Sequence, residues 1–302
     1  SGFSSMLFKL LEEARSDDSK NKPTHFAVIF DSARKNFRNE IYKDYKANRS
    51  EAPDDLAPQF EYIRKAVKAF NLPSIEQINY EADDLIATYA KQIISLGAKV
   101  TIISSDKDLM QLVSNKIRLF DPMKSKVIGE KEVMEKFGVK PNQVIDVQSL
   151  AGDSSDNIPG VPGIGIKTAS ELINKFKTLE NLLKKAGEIP QKKRKETLIN
   201  NKDLALISKK LVTLKDDVPT KSKIDTFDIK KVDKNKLYEF LREMEFNRLL
   251  SQAISFYGEP EGKIVQQNTK SISKKIDVAK YKTINKITDL DKLIKNLEDK
   301  SL

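Results

Sequence analysis

The sequence predicts an α/β protein with a mostly parallel sheet in its amino-terminal part and a mostly helical carboxyl-terminal part. Two apolar runs, HFAVIFD at 25–31 and AKVTIISSD at 98–106, have the length and composition of buried strands. Between them, EADDLIATYAKQIISLG at 81–97 repeats apolar residues at helical spacing and ends at a glycine. Strands that alternate with helices favour parallel pairing, because a parallel connection needs a crossover.

Patterning predicts the other elements in the same way. They are, in chain order, an amphipathic helix at 3–11, a helix from about Pro53 to Phe70, short strands in SIEQI, IRLFD and KVIG (the last two as a hairpin), helices from about 130 to Phe256, a polar segment at 258–275 with the character of a linker, and a strand and a helix from 281 on.

Composition narrows the chemistry. Lys and Arg outnumber Asp and Glu by 54 to 44, giving a net charge of +10 and a pI near 9.3. This excess favours a polyanionic partner, although a Lys-rich proteome explains it equally well. The chain has no cysteine and a single histidine, His25, at the start of a predicted strand, which excludes thiol nucleophiles, disulfides and cysteine-based zinc sites. No apolar run approaches the roughly 18 residues of a membrane span.

Eight carboxylates are predicted to meet at one edge of the sheet. Sites in open α/β sheets form beyond the carboxyl ends of the strands. The acidic residues expected there lie at strand ends, at the start of a helix and before a glycine loop: Asp31, Asp106, Asp108, Glu81, Asp83, Asp84, Asp153 and Asp156.

Each acidic group also has a purely structural explanation. Acidic residues in EADD complement a helix dipole, SSDKD is consistent with a helix cap, and GDSSDN is consistent with a tight turn. Together, however, so many carboxylates cannot all ionise without cations. Oxygen ligands suit Mg²⁺ or Mn²⁺, and paired ions clamp the attacking and leaving oxygens of a phosphodiester.

Two further segments are expected to contact nucleic acid. GVPGIGIKTA at 160–169 places Gly163 and Gly165 at the start of a helix, where backbone N–H groups bind phosphate, although a plain helix cap fits equally well. RKNFRNEIYKDYKANR at 34–49 interleaves basic and aromatic residues, as single-strand binding requires. The alternative for this second segment is a solvated amphipathic helix. The run KKRK at 192–195 is weaker support for phosphate contact.

Four motifs in this order carry a specific family resemblance: VIFDSARKNFRNEIYKDYKANR, YEADDLIATYA, SSDKDLMQLV and GDSSDNIPGVPGIGIKTA. Residues 1–258 resemble the 5′–3′ exonuclease domain of bacterial DNA polymerase I, a member of the flap endonuclease superfamily. The resemblance implies a PIN-like α/β core at 1–145 with a helical arch at about 34–53, a helix-hairpin-helix region at 146–258, a linker at 259–280, and the start of a 3′–5′ exonuclease-like domain at 281–302.

The resemblance also implies roles for individual residues. The first metal is assigned to Asp31, Glu81, Asp83 and Asp84, and the second to Asp106, Asp108, Asp153 and Asp156. Lys46 and Arg49 are expected to stabilise the scissile phosphate. Contacts to DNA are expected from Arg34, Arg38, Tyr42, Tyr45, Gly163, Gly165, Lys167 and Thr168, with K⁺ at the glycine loop.

The implied activity is metal-dependent hydrolysis of 5′ flaps, nicked ends and RNA–DNA primers by a cytoplasmic, nucleoid-associated monomer that is part of a polymerase. One departure keeps a second interpretation open. The family begins with a strand whose terminal aspartate is a metal ligand, and this sequence starts after that point. The alternative is therefore a fragment that binds branched DNA with impaired catalysis. A PIN-type ribonuclease is a third reading, which needs neither the arch nor the glycine loop.

Overall fold

The computed structural model describes residues 1–15, 22–33, 35–50, 53–260 and 286–298. The chain divides into two compact units, Ser1–Glu259 and Pro260–Leu302. The strands are β1 (Val28–Ile29), β2 (Ser74–Ile75), β3 (Val100–Ile103), β4 (Ile117–Asp121) and β5 (Lys126–Ile128). The helices are α1 (Gly2–Arg15), α2 (Arg38–Ile41), α3 (Ala57–Ala69), α4 (Ala82–Ser95), α5 (Glu130–Phe137), α6 (Val144–Ala151), α7 (Ile166–Phe176), α8 (Leu179–Lys184), α9 (Lys192–Asn200), α10 (Lys202–Val212), α11 (Lys234–Glu243), α12 (Asn247–Tyr257) and α13 (Ile287–Glu298).

The strands form two small sheets instead of one. β1 pairs with β2 in parallel, and β3 pairs with β4 in parallel. β4 and β5 form the antiparallel hairpin that the sequence predicts. The strands are shorter than the apolar runs that contain them, because only part of each run finds a hydrogen-bonding neighbour. β1 covers two residues of the seven-residue run at 25–31.

Two apolar clusters account for most of the packing. One gathers around α6 and α7 and includes residues from α5, α8 and the β3–β5 sheet. The other joins α1, α3, α11 and α12. Helix α6 is buried on nearly all sides, consistent with its sequence VIDVQSLA, in which apolar residues do not form a single stripe. This buried helix connects the β3–β5 sheet to the glycine loop before α7.

Two glycines press their backbones together at the base of the glycine loop. Gly152 and Gly160 have φ values of +69° and +61°, and a Cβ built on Gly160 overlaps the Gly152 nitrogen. The Gly160 N–H donates to Ser208 Oγ on α10 at 2.9 Å, which fixes the loop to that helix. Gly165 precedes α7 at φ −90°, and a Cβ there would meet no atom within 4 Å. The loop is therefore packed at its base and open at its tip.

Several sequence predictions fall partly outside the described residues. The predicted linker lies there except for its first residues, as does the strand predicted from 281. The helix predicted after that strand is present as α13. Within 34–53, the described residues contain only the single-turn helix α2 followed by turns. None of the helices in the described ranges combines the length and apolarity that crossing a membrane requires.

The backbone geometry at Gly160 and Gly165 predicts different effects of an alanine substitution on stability. Gly160→Ala should lower the free energy of unfolding by about 3 kcal/mol, because the methyl group overlaps the backbone of Gly152 at a positive φ. Gly165→Ala should change it by less than about 0.5 kcal/mol, since the site is open and φ is negative. Urea denaturation of both variants measures the difference. Equal losses would contradict the packing described for the loop base.

Candidate active site

A polar cleft gathers acidic residues from four separate segments. Asp31 follows β1, Asp106 and Asp108 follow β3, Glu81 and Asp83 lie at the start of α4, and Asp156 lies in the loop before α7. The lining also includes basic, aromatic and apolar side chains, namely Arg38, Tyr45, Lys46, Arg49, Ile158, Leu211, Val212 and Leu214. Residues that follow strands of two different sheets therefore meet the start of a helix here. The structure thus brings together six of the eight predicted carboxylates.

The other two carboxylates lie beside the cleft, which corrects the expectation that all eight face it. Asp84 is fully buried and accepts four hydrogen bonds, two from the Arg38 guanidinium and one each from the Glu81 and Lys215 backbone N–H groups. Both carboxylate oxygens of Asp84 therefore already accept hydrogen bonds from donors within the protein. Asp153 is also buried and pairs with Lys107 Nζ at 2.6 Å, and this contact helps to lower the pKa of Asp153 against the opposing effect of burial.

Arg38 is buried with 1% of its surface exposed, so the structure departs from the expectation that it contacts DNA. Its guanidinium makes five hydrogen bonds, which matches its five N–H donors. It forms a bidentate pair with Asp84 at 2.7 Å for both bonds, a further bond to Glu81 at 3.2 Å, and bonds to the carbonyl oxygens of Leu211 and Thr213. Arg38 therefore ties α2 to the start of α4 and to the end of α10.

One half of the cleft is neutralised by the segment that follows α2. Lys46 Nζ contacts Glu81 and lies 3.6 Å from Asp156 Oδ2, while Arg49 pairs with Asp156. Tyr45 is buried and donates its hydroxyl to Glu81 Oε2 at 2.9 Å. Burial, followed by the charge of Glu81, raises the pKa of the Tyr45 hydroxyl far above its ordinary value. The tyrosine is thus held as a neutral donor and is not available for stacking on bases.

Backbone contacts dock this segment onto the loop that carries Asp156. The Lys46 N–H donates to the Asp156 carbonyl at 2.9 Å, and Asn48 Nδ2 donates to the Ser154 carbonyl at 2.6 Å. Asn157 returns a hydrogen bond to the Asp44 carbonyl at 2.6 Å. Lys46 has a φ of +57°, a conformation that costs free energy for a residue with a side chain. The docking contacts hold Lys46 in this conformation and direct its ammonium group into the cleft.

In the opposite half of the cleft, burial and crowding favour the protonated form of the carboxylates. Burial, and then the charges of Asp106, Glu81, Asp31 and Asp108, raise the pKa of Asp83 to about 8. Burial and Asp106 raise the pKa of Asp108 to about 6, although Gln148 donates to Asp108 at 2.5 Å and opposes the shift. Among the ion pairs of the described residues, none involves Asp31, Asp83, Asp106 or Asp108. The charge asymmetry between the two halves is the main electrostatic feature of the site.

The predicted ligand sets are not assembled as metal sites in this structure. Within the described ranges, no three carboxylate or histidine side chains converge closely enough to hold an ion. In the neutralised half, Glu81 and Asp156 instead pair with Lys46 and Arg49. The Arg38 pair likewise removes Asp84 from the acidic group.

The residues predicted to contact DNA are spread over two surfaces. Gly163, Gly165 and Lys167 are exposed at the tip of the glycine loop and the start of α7, and Thr168 is half-buried beside them. Tyr42 is half-buried and packs against the small cluster that contains Tyr45. Arg34 lies outside the described residues.

Sequence reasoning missed two polar residues next to the carboxylates. Lys107 lies inside the SSDKD motif and pairs with Asp153. Gln148 lies on the buried helix α6 with 3% of its surface exposed. The sequence offered a signal for Gln148, because a side-chain amide in a buried helix is rare unless it has a hydrogen-bond partner.

The fold defines the general class of the protein. Residues 1–138 match the family model of the 5′–3′ exonuclease N-terminal resolvase-like domain, and residues 139–235 match that of the 5′–3′ exonuclease C-terminal SAM fold. A bacteriophage T5 flap endonuclease, solved as a pseudo-enzyme–product complex with DNA and metal ions, superposes with a TM-score of 0.60 at 22% identity, over 85% of this chain and 91% of that one. At this sequence identity, the superposition is evidence for the fold alone.

Relatives at higher identity define the family. The chain is 39% identical over 255 residues to a 5′–3′ exonuclease of Aquifex aeolicus, covering 83% of each chain. It is 52% identical over 249 residues to a DNA polymerase I of Rhizobium leguminosarum, covering 82% of this chain and 24% of that one. The chain belongs to the 5′–3′ exonuclease family. It spans about a quarter of the length of the DNA polymerase I relative.

The buried Arg38–Asp84 pair leads to a stability prediction. Arg38→Met should lower the free energy of unfolding by about 3–5 kcal/mol, because it leaves the Asp84 carboxylate buried without its cation. The double variant Arg38→Met with Asp84→Leu should lose less than the sum of the two single variants, since it removes both charges together. Chemical denaturation of the four proteins measures the coupling. Additive losses would show that the pair does not act as a unit.

Proposed function

We propose that this chain is a structure-specific 5′ nuclease that hydrolyses DNA phosphodiester bonds at 5′ flaps, nicked ends and RNA–DNA primers. The single observation that carries the proposal is the asymmetric cleft, in which uncompensated carboxylates face a lysine and an arginine. A phosphodiester is attracted to the basic half and, when divalent ions are present, to the acidic half as well. The family membership and the net charge of +10 support a DNA substrate.

Divalent ions fit the acidic half on the chemistry of its donors. Burial, and then the charges of neighbouring carboxylates, raise the pKa of Asp83 to about 8, so a cation beside it would favour its ionised form. Carboxylate oxygens are the ligands that Mg²⁺ and Mn²⁺ prefer. We assign the ion-binding role to Asp31, Asp83, Asp106 and Asp108 first, and to Glu81 and Asp156 once Lys46 and Arg49 turn to substrate. When bound, such ions polarise the phosphodiester and stabilise its developing charge.

The chain's own basic residues orient the scissile phosphate. Lys46 and Arg49 offer N–H donors at the edge of the cleft, and their carboxylate partners hold them there before substrate arrives. A phosphate that enters between them exchanges one set of charge-assisted hydrogen bonds for another. Tyr45 stays neutral and keeps Glu81 aligned from behind. Arg38 and Asp84 hold the start of α4 in place and are assigned a positioning role.

The glycine loop is assigned to the duplex. Its tip carries Gly163 and Gly165, where side chains would find open space, and the N–H groups at the start of α7 are free of side-chain caps. This arrangement accepts a backbone phosphate without reading sequence. Lys167 is exposed one residue into the helix and adds positive charge. A monovalent ion such as K⁺ at the loop belongs to the same proposal.

The proposal extends to the biological setting. The 52% identity to a DNA polymerase I supports a role in primer removal and repair as part of such a polymerase. We also propose that the chain acts as a monomer in the bacterial cytoplasm, at the nucleoid. The proposed organisation keeps the core at 1–145, the helix-hairpin-helix region at 146–258, a linker at 259–280 and the start of a further domain at 281–302.

A second function has one observation in its favour. Within the described residues the carboxylates do not converge on an ion position, as a DNA-binding fragment with impaired catalysis would allow. Cleavage of a labelled 5′-flap DNA in Mg²⁺ or Mn²⁺, with a chelated control, separates the two. Release of the flap near the junction supports the nuclease. Metal-independent flap binding without release supports the binding fragment.

Removing one carboxylate from the acidic half should separate cleavage from binding. Asp106→Asn should reduce flap cleavage at least about 1,000-fold, because it weakens ion binding where no basic side chain can substitute. Affinity for flap DNA, measured by fluorescence anisotropy in EDTA, should stay within about threefold. Asp203→Asn, on the exposed start of α10, is the matched control and should cleave normally. Full activity of Asp106→Asn would refute the ion assignment.

Removing Lys46 should reduce cleavage without weakening the binding of divalent ions. Lys46→Met should lower single-turnover cleavage about 100-fold, since a donor to the scissile phosphate is lost. Its affinity for Mn²⁺, measured by calorimetry, should be equal to or tighter than that of the parent chain, because Glu81 and Asp156 lose a competing cation. Lys131→Met, at an exposed position of α5 outside the predicted DNA-contacting segments, is the control and should retain both properties. A weaker Mn²⁺ affinity for Lys46→Met would contradict the proposed exchange of partners.

A further inference from the structure

Gln148 is a buried amide whose one hydrogen bond goes to a cleft carboxylate. Its side-chain Nε2 donates to Asp108 Oδ1 at 2.5 Å. The residue lies on α6 with 3% of its surface exposed, among the apolar neighbours Val144, Val147 and Leu150 of the same helix. The bond joins the buried helix to the 3₁₀ turn at 108–112 that follows β3.

The other half of the amide is unsatisfied. Gln148 Oε1 is buried and has no hydrogen-bond partner within the described part of the chain. An ionised carboxylate only accepts hydrogen bonds, so the NH₂ group must face Asp108 and the carbonyl oxygen must point elsewhere. Leaving a buried carbonyl unpaired costs about 1–3 kcal/mol. An apolar side chain of the same length would avoid this cost in a helix surrounded by apolar residues.

Stability alone therefore does not account for an amide at this position. We propose that Gln148 is a positioning residue that holds the Asp108 carboxylate by one oxygen, which would leave the other oxygen available to a divalent ion in the cleft. The proposal rests on the function proposed above and assigns to that site a residue outside the predicted set. The same bond favours the ionised form of Asp108 and opposes the rise in its pKa caused by burial and Asp106.

If Gln148 positions Asp108, its replacement should weaken ion binding without lowering the stability of the protein. Gln148→Met keeps the length and shape of the side chain and removes both polar groups. The full chain carrying this substitution should melt at the same temperature as the parent or higher, because the unpaired carbonyl is gone. Its dissociation constant for Mn²⁺, measured by calorimetry without DNA, should rise at least about 10-fold, as for the loss of other hydrogen bonds to metal ligands. Its cleavage deficit should shrink as Mn²⁺ approaches saturation.

Gln143→Met is the matched control. Gln143 immediately precedes α6 and donates to the Lys177 carbonyl at 3.0 Å, away from the cleft carboxylates. This variant should bind Mn²⁺ and cleave as the parent chain does. Gln148→Leu, with a different shape, is the second variant and should reproduce the weakened Mn²⁺ affinity even where its packing lowers the melting temperature.

The outcomes separate the inference from the proposed function. A parent chain that binds Mn²⁺ and cleaves flaps, together with Gln148 variants whose Mn²⁺ affinity is within twofold of the parent, overturns the positioning role alone. A parent chain that binds no Mn²⁺ overturns both. A large loss of stability in Gln148→Met with unchanged Mn²⁺ affinity shows that the amide is structural. Weakened Mn²⁺ binding at unchanged or higher stability supports the inference.

Discussion

Negative charge concentrated at one edge of the sheets is the constraint on which the surrounding structure depends. Carboxylates brought this close repel one another unless cations or donors compensate them. The chain supplies part of that compensation itself. Arg38 uses all five of its donors, binding Asp84 and Glu81 on α4 and two carbonyl oxygens at the end of α10. The hydrogen bonds of Arg38 thereby hold α2, the start of α4 and the end of α10 together.

Only some of the cleft carboxylates have basic partners, and the proposed chemistry depends on this difference. Lys46 and Arg49 neutralise Glu81 and Asp156 through contacts that a phosphate could replace. The carboxylates around Asp83 have no such partner in the described residues, and burial, followed by the charges of the neighbouring carboxylates, raises the pKa of Asp83. A cleft of this kind can accept an anion on one side and divalent cations on the other. Neither a wholly acidic nor a wholly neutralised cleft offers both.

Helix α6 links this cleft to the proposed duplex-binding loop. Gln148, toward its carboxyl-terminal end, contacts Asp108, and the helix ends at Gly152, whose backbone packs against Gly160 of the glycine loop. The Gly160 backbone lies so close to Gly152 that a Cβ there would overlap it, and this contact holds the base of the loop against the end of α6. The proposed duplex-binding loop is therefore attached to the helix that carries Gln148.

The sequence by itself determined the α/β class, the β4–β5 hairpin, the helix that begins after Glu81 and the clustering of acidic residues at strand ends, because apolar periodicity and capping are local properties. It also placed Lys46 and Arg49 beside the carboxylates. Only the tertiary structure decided that Arg38 and Asp84 are buried together, that Asp153 pairs with Lys107, and that Gln148 reaches Asp108. These contacts join residues 40 or more positions apart, and charged partners at such separations leave no periodic signal in the sequence.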